Sequence, residues 1–450
     1  MRIDSRFFSD NRRELLSRIP EGTAVFLFAG LLRPQSADND YRFLVDRDFY
    51  YMTGIECPEA KLILIHEKDH GEKQLLFIPP KDPMVERWHG KRADKEEVSA
   101  ISGIAVEDIF DLGDFDERAY PYLHGEYVVA TDSNSIGEDT ATFMALVEGD
   151  SDIGSVLVSM RLKKKPEEIS AIREAARITE EALSELRKKI TEGMSEMEIY
   201  AELEYQMAKR GSLIPAFTTI TAIDGNAFYL HHADPEGKDG AVIGKGSQIQ
   251  IDVGARAAGY CADISRLMIY GREEDDDPRR VRLIELIRKL RARAFEFIAP
   301  GVTFASLNEE MRRIAGEWLV KEGLIEAAPA DGASPAAEDK AEAQPADAPA
   351  PEAPAPAPVA APAPEAPAPT AEDIGRYYWH NTSHYMGLNV HDVGGKELPF
   401  EEGNCLAVEP GVYIPEWGFG FRIEDDVLVT KDGCELLSSG DDSGEGIYLL

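Results

Sequence analysis

Apolar residues run in two rhythms along this chain. In the first third they form short continuous runs. Thr23 to Phe28 (T-A-V-F-L-F) and Lys61 to His66 (K-L-I-L-I-H) predict buried strands, as do Gln74 to Ile78 and Tyr127 to Ala130. Helical patterns such as Glu86 to Ile101 lie between them. The expectation is a mixed sheet with covering helices, an α/β domain over residues 1–158. No cluster of metal-ligating residue types occurs there, so a supporting or oligomerisation role is expected of it.

The second rhythm is helical. After a basic joint, R-L-K-K-K-P (Arg161 to Pro166), apolar side chains fall at Ile169, Ile172, Ala176, Thr179, Leu183, Leu186 and Ile190. Steps of three and four place them on one face, the pattern of a packed helix with Pro166 at its first turn. Ser195 with Glu198 is a capping-box signature for a second helix, closed by Gly211. Two more helices are predicted over Arg279 to Ile298 and Phe304 to Glu322. Residues 161–450 are thereby expected to form a second domain.

That domain is interrupted. Residues 327–371 hold 12 of the chain's 27 prolines and no aromatic residue. Proline lacks the amide donor a helix needs, and alanine offers too little apolar surface to offset the entropy of ordering. The segment is predicted to be an exposed, disordered, partly polyproline-II insertion. A docking segment for a proline-recognising partner is the alternative.

Charge narrows the partners. Over 450 residues, 83 acidic side chains face 48 basic ones, a formal charge of −35. That field repels phosphate backbones and anionic lipid, so neither nucleic acid nor membrane is expected as a partner. Four cysteines, none in a C-x-x-C pair, suit a reducing cytoplasm. Neither a signal peptide nor a membrane span is expected, because no long apolar stretch occurs.

The candidate chemistry flanks the insertion. Gln248 to Gly254 (Q-I-Q-I-D-V-G) and Tyr260 to Tyr270 (Y-C-A-D-I-S-R-L-M-I-Y) read as a hairpin. Folded between Ala257 and Ala258, it sets Asp252 opposite Asp263. Cys405 to Ile414 and Gly418 to Val429 form another, which sets Glu409 opposite Glu424. Facing carboxylates repel unless a cation lies between them or one keeps its proton. The repetition hints at an internal duplication. Strands can also present acids to water, and alternation alone does not exclude that. His231 and His232 in F-Y-L-H-H-A-D-P, with His380, His384 and His391 in W-H-N-T-S-H-Y-M-G-L-N-V-H-D, favour a metal site. One imidazole and four carboxylates can hold two divalent cations about 3.5–4 Å apart. Oxygen-rich ligation suits Mn²⁺, with Co²⁺, Fe²⁺ or Zn²⁺ as competitors. The expected chemistry is hydrolysis by a bridging hydroxide.

Taken in order, I-D-V-G, Y-C-A-D-I-S-R, S-H-Y-M-G-L-N-V-H-D, V-E-P-G and R-I-E-D-D resemble the dinuclear metallopeptidases of the pita-bread fold. That family includes methionine aminopeptidase, Xaa-Pro aminopeptidase (aminopeptidase P) and prolidase. Tyr41 to Gly54 (Y-R-F-L-V-D-R-D-F-Y-Y-M-T-G) is similar to the N-terminal domain of aminopeptidase P, and Arg87 to Arg92 is a fainter match. The resemblance implies an α+β fold, a mixed-sheet domain followed by a duplicated pita-bread domain. It implies metal ligands at Asp252, Asp263, His384, Glu409 and Glu424, with Glu424 bridging and Glu409 also accepting a proton. His391 would bond the scissile carbonyl, His231 and His380 would line the substrate pocket with catalytic roles, and Arg422 would support a ligand beside the substrate. His232 departs from the tyrosine common at that position. The resemblance also implies a homo-oligomer, a dimer or tetramer.

Peptides with proline at position two are the implied substrates, cleaved after residue one. A Xaa-Pro dipeptidase is the alternative; it must bind a carboxylate near the metals, and Gly394 to Asn404 contains no arginine for that task. Methionine aminopeptidase lacks an N-terminal domain of this size. A catalytically inactive binding protein of the same fold would lose ligands, and here all five positions are filled. Creatinase-like amidinohydrolysis fits least, since it does not need the complete metal set.

Overall fold

The runs predicted as strands in the first third do pair. The structure, a computed structural model, describes residues 1–68, 71–147, 151–271, 277–327, 369–438 and 446–450. Six strands form one mixed sheet in the order Ile109–Asp111, Glu72–Ile78, Lys61–His66, Thr23–Phe28, Val128–Thr131 and Ser151–Asp152. Every position of Thr23–Phe28 is buried. Both faces are covered: Val25, Leu27, Leu62 and Leu64 enter one cluster, and Phe26, Phe28, Ile63 and Phe77 another. A strand covered on both sides reads as a continuous apolar run rather than an alternating one.

The helix expected over Glu86 to Ile101 is instead two short helices, Pro83–His89 and Lys95–Ser102. Gly90, with φ of 93°, ends the first. Asp94 and Glu97 then close a capping box that starts the second.

The helical expectations downstream hold. Pro166–Arg187 starts on its proline, and Glu196–Lys209 starts on the Ser195–Glu198 box. Pro278–Phe297 and Phe304–Lys321 follow. Each helix pair packs on a four-stranded sheet. Ala175, Leu183, Ile199 and Leu203 meet Ile249, Ile251 and Val253. Leu283, Leu290, Leu307 and Met311 meet Leu406, Val408, Val427 and Val429. This doubled unit is the pita-bread arrangement. Residues 328–368, which carry most of the expected insertion, lie outside the described residues. The chain is described again from Pro369, where Thr370 caps a short helix, Ala371–Gly375. No helix among the described residues is long and apolar enough to cross a membrane.

The hairpins need one correction. In the first, Asp252 pairs with Ser265 and Ala257 with Tyr260. The turn is Ala258–Gly259, both with positive φ, and its centre lies one residue beyond the expected midpoint. The register moves by two, so Asp263 sits diagonal to Asp252 on the same face instead of opposite it. Gly254 lies across from Asp263; a Cβ there would meet the Ala262 carbonyl oxygen at 1.9 Å. The second hairpin keeps the expected register, with Gly411 opposite Arg422 and Val408 opposite Asp425. Each of its arms is broken into two strands at the acidic residues.

The sheet domain is joined to the rest by buried charge and by shared core. Arg161 donates to Asp48 at 2.9 Å and also pairs with Asp392, which accepts from Lys164 at 2.9 Å. One hydrophobic cluster holds Phe8, Leu15 and Leu62 together with Ala171, Ile172, Tyr260 and Met386.

Candidate active site

Nine side chains singled out in the sequence line one cavity of about 610 Å³: Asp252, Asp263, His384, Glu409, Glu424, His391, His231, His380 and Arg422. They come from six separate segments. Asp252 is the last residue but one of the buried strand Gln248–Val253, and Asp263, Glu409 and Glu424 occupy the strand breaks. His384 is central in Ser383–Tyr385, and His391 follows in a loop. His380 lies over Gly411, where a Cβ would meet its Nε2 at 2.7 Å. Only a glycine leaves room for that ring.

Burial decides against the acids facing water. Asp252, Asp263 and Glu424 expose 7%, 4% and 2% of their surface. Ligand atoms of Asp263, His384 and Glu424 all lie within 4.8 Å of one another. His384 Nε2 is 3.4 Å from Asp263, 3.7 Å from Glu424 and 4.0 Å from Glu409. Its Nδ1 lies 3.0 Å from the Tyr385 carbonyl, which can only accept, so Nδ1 carries the proton and Nε2 faces the acids.

Electrostatics shows what the acids lack. Burial, then the neighbouring Glu424 charge, pushes Asp263 well above the ordinary carboxylate range. The same two causes push Glu409 up to about 8. Burial and Asp252 raise Glu424. Burial alone would lower His384, but bonds to Asp263 and Glu424 outweigh it and hold the ring charged. The Asp252 carboxylate accepts from Arg422, yet its Oδ1 is buried without a hydrogen-bond partner. An orphaned oxygen among acids forced to keep protons fits a site built for cations. Asp252, Asp263, His384, Glu409 and Glu424 supply four carboxylates and one imidazole, the donor set that two divalent ions take.

His380 and His391 are neutral at pH 7. Burial pushes His380 down to about 4. Burial, then the His384 charge, does the same for His391. The His391 ring stacks on His384 with centroids 4.0 Å apart. His380 Nδ1 is 2.9 Å from the Asn381 carbonyl, so it donates there, and Nε2 accepts from the Tyr413 hydroxyl at 3.1 Å. His380 therefore presents a ring edge rather than a free donor. His231 also lines the cavity, whereas His232 turns away and lies 2.8 Å from Glu196.

Sequence reasoning missed several supporting groups. Arg161 and Lys164 looked like a basic joint but are buried partners of Asp392, the residue after His391. Asp425 is neutralised by Arg266 at 2.9 Å and Arg291 at 2.6 Å. Asp426 accepts the Asp263 backbone N–H at 3.2 Å. The doubled acid in R-I-E-D-D was the available signal.

The model of metallopeptidase family M24 matches residues 170–431, and that of the aminopeptidase P N-terminal domain matches residues 8–129. A Xaa-Pro aminopeptidase of Escherichia coli strain K12 is 27% identical, covering 97% of this chain and 95% of its own. A Xaa-Pro dipeptidase of Pyrococcus horikoshii is 28% identical, covering 86% of this chain and 89% of its own. The solved structure of Pseudomonas aeruginosa aminopeptidase PepP superposes with a TM-score of 0.81 at 26% identity, covering 99% of this chain and 98% of that one.

Proposed function

The chain belongs to metallopeptidase family M24, and on that premise we propose that it is a Xaa-Pro aminopeptidase, releasing the first residue of peptides whose second is proline. One observation carries the reading: the Asp263, His384 and Glu424 ligand atoms converge in a cavity that His391 also lines. Asp252, Asp263, His384, Glu409 and Glu424 are read as holding two divalent ions, with manganese favoured by the oxygen-rich donor set. Bound ions supply Lewis acidity, which polarises a carbonyl and makes water nucleophilic at neutral pH.

The chain's own groups do the rest. A Xaa-Pro bond is a tertiary amide without an N–H, so recognition must use its carbonyl and the free amine. The buried Asp252, held by Arg422, offers negative charge to that amine. Neutral His391 can donate to the carbonyl oxygen as charge develops there, an interaction that strengthens in the transition state. Glu409 lies where it can take a proton from water and return it to the leaving amine, its carboxylate form being the one that a bound cation would favour. His231 and the ring edge of His380 bound the space for the proline ring. A cytoplasmic dimer or tetramer belongs to the same reading; four free cysteines are in keeping with a reducing compartment.

Xaa-Pro dipeptidase is the second reading, and Lys396 favours it, since it lines the cavity and could meet a dipeptide's carboxylate. The test is hydrolysis by manganese-loaded protein of a Xaa-Pro dipeptide beside a Xaa-Pro-Yaa tripeptide. Release of the first amino acid from the tripeptide is expected. Rapid dipeptide turnover with an inert tripeptide would make the enzyme a dipeptidase.

A further inference from the structure

Glu196 is the first residue of the Glu196–Lys209 helix and is wholly buried. Its carboxylate gathers four N–H groups from one segment. Oε1 accepts from the Ile223 backbone at 2.7 Å and the Asn226 amide at 3.0 Å. Oε2 accepts from the Glu236 backbone at 2.9 Å and meets His232 Nε2 at 2.8 Å. The Glu196 backbone carbonyl accepts from the Thr221 hydroxyl at 3.0 Å. The donors lie at both ends of residues 223–236, so one side chain ties the entry and exit of the loop that carries His231.

A second anchor meets the loop from the metal side. Arg422, which holds Asp252, also donates to the Leu230 carbonyl at 3.2 Å. Phe228 lies 6.0 Å from Trp379, which stacks on Tyr413. The residues on either side of His231 are thus fixed, Leu230 through its carbonyl and His232 through its ring.

From this we infer that Glu196 is a positioning residue for His231, acting through the His232 ring and the loop backbone. The inference rests on the reading of His231 as a pocket residue. A buried carboxylate is costly unless hydrogen-bonded, and each of its bonds here restrains this loop. His232, at the position that departs from the usual tyrosine, is part of the clamp and not of the pocket.

The experiment makes Glu196→Gln, His232→Leu and His232→Gln in the intact chain and again with His231→Ala. With manganese-loaded protein and a Xaa-Pro-Yaa tripeptide, Glu196→Gln and His232→Leu should lower kcat/KM by roughly ten- to a hundredfold, as lost orienting partners do. Metal content should be unchanged. His232→Gln, whose amide can still donate to Glu196, should recover most of the loss. With His231→Ala in place, none of the three should lower kcat/KM further, since coupled residues are not additive. In metal-free protein, hydrogen exchange across 224–236 should quicken in Glu196→Gln and His232→Leu. Equal fold-losses in both backgrounds, undiminished kcat/KM in the intact chain, or unchanged exchange would each overturn the assignment. Should Glu196→Gln fail to fold, the His232 pair decides. Wild-type protein that cleaves no tripeptide would overturn the aminopeptidase reading, and the exchange measurement would then decide the clamp.

Discussion

Glu409 and Glu424 are register partners across the second hairpin, yet their backbones do not bond to each other. The ladder pairs Val408 with Asp425 on one side of them and Gly411 with Arg422 on the other. Between, the Glu409 N–H donates to the Thr382 carbonyl at 2.7 Å and the Glu424 N–H to the Ser265 carbonyl at 3.1 Å. Each acid is therefore tied to a different third segment. The carboxylates converge at a seam between the two halves of the domain, and the site forms only when both halves are docked.

Cations should be required at that seam. Chelation should abolish peptidase activity and Mn²⁺ should restore it. Asp263→Asn and Glu424→Gln should each lose at least one metal equivalent by elemental analysis, with activity reduced roughly a hundredfold or more. Full activity in metal-free protein would rule out this assignment.

His391→Ala should separate binding from turnover. The ring lies on His384 without sharing its contacts to the acids. Metal content should stay at the wild-type value and KM should change little. The turnover number should fall about a hundred- to a thousandfold, the usual cost of removing one oxyanion donor. A rise in KM with kcat intact would make His391 a binding residue only.

Acid should weaken the link through Asp392. Burial by itself would raise this carboxyl, but Arg161 and Lys164 outweigh it and hold it at about 2, below the ordinary 3.8. A depressed carboxyl stabilises the fold fully above its unfolded value and loses that contribution as pH falls through the folded one. The effect is on the order of 2 kcal/mol, lost between about pH 4 and pH 2. Asp392→Asn should cost roughly 3–5 kcal/mol at neutral pH, because buried Lys164 loses its carboxylate and Arg161 keeps only Asp48. Its urea midpoints should also fall less steeply with acid. Parallel midpoint curves for the variant and the wild type would contradict this.

Exchanging residues 328–368 for a short Gly/Ser linker should leave melting temperature and turnover nearly unchanged, on the strength of composition. Pro369 and Ile374 must be kept, because both lie against Gly316. A clear fall in either quantity would give the segment a structural role.

Much of this was legible in the sequence because burial leaves local marks. Continuous apolar runs identified the strands covered on both faces, and the Ser195–Glu198 box fixed a helix start to the residue. The second hairpin's register followed from its spacing alone. The first missed by two, because register depends on where the left-handed residues fall, and Ala258 does not advertise a positive φ as Gly259 does. The breaks at Asp263, Glu409 and Glu424 were invisible, since their N–H groups bond to Asp426, Thr382 and Ser265, far away in the chain. Glu196 was hidden for the same reason: the donors to its carboxylate begin 27 residues later.

The hydrophobic cluster shared by Phe8, Leu15, Leu62, Ala171, Ile172, Tyr260 and Met386 bears on how the chain comes apart. Two stretches that family models treat separately have no dry surface of their own to part along. Opening one wets the other, so heat should meet a single cooperative unit, and calorimetry should record one endotherm rather than two. Whatever the first stretch does for the reaction, it cannot be lost by melting alone while the catalytic half stays folded.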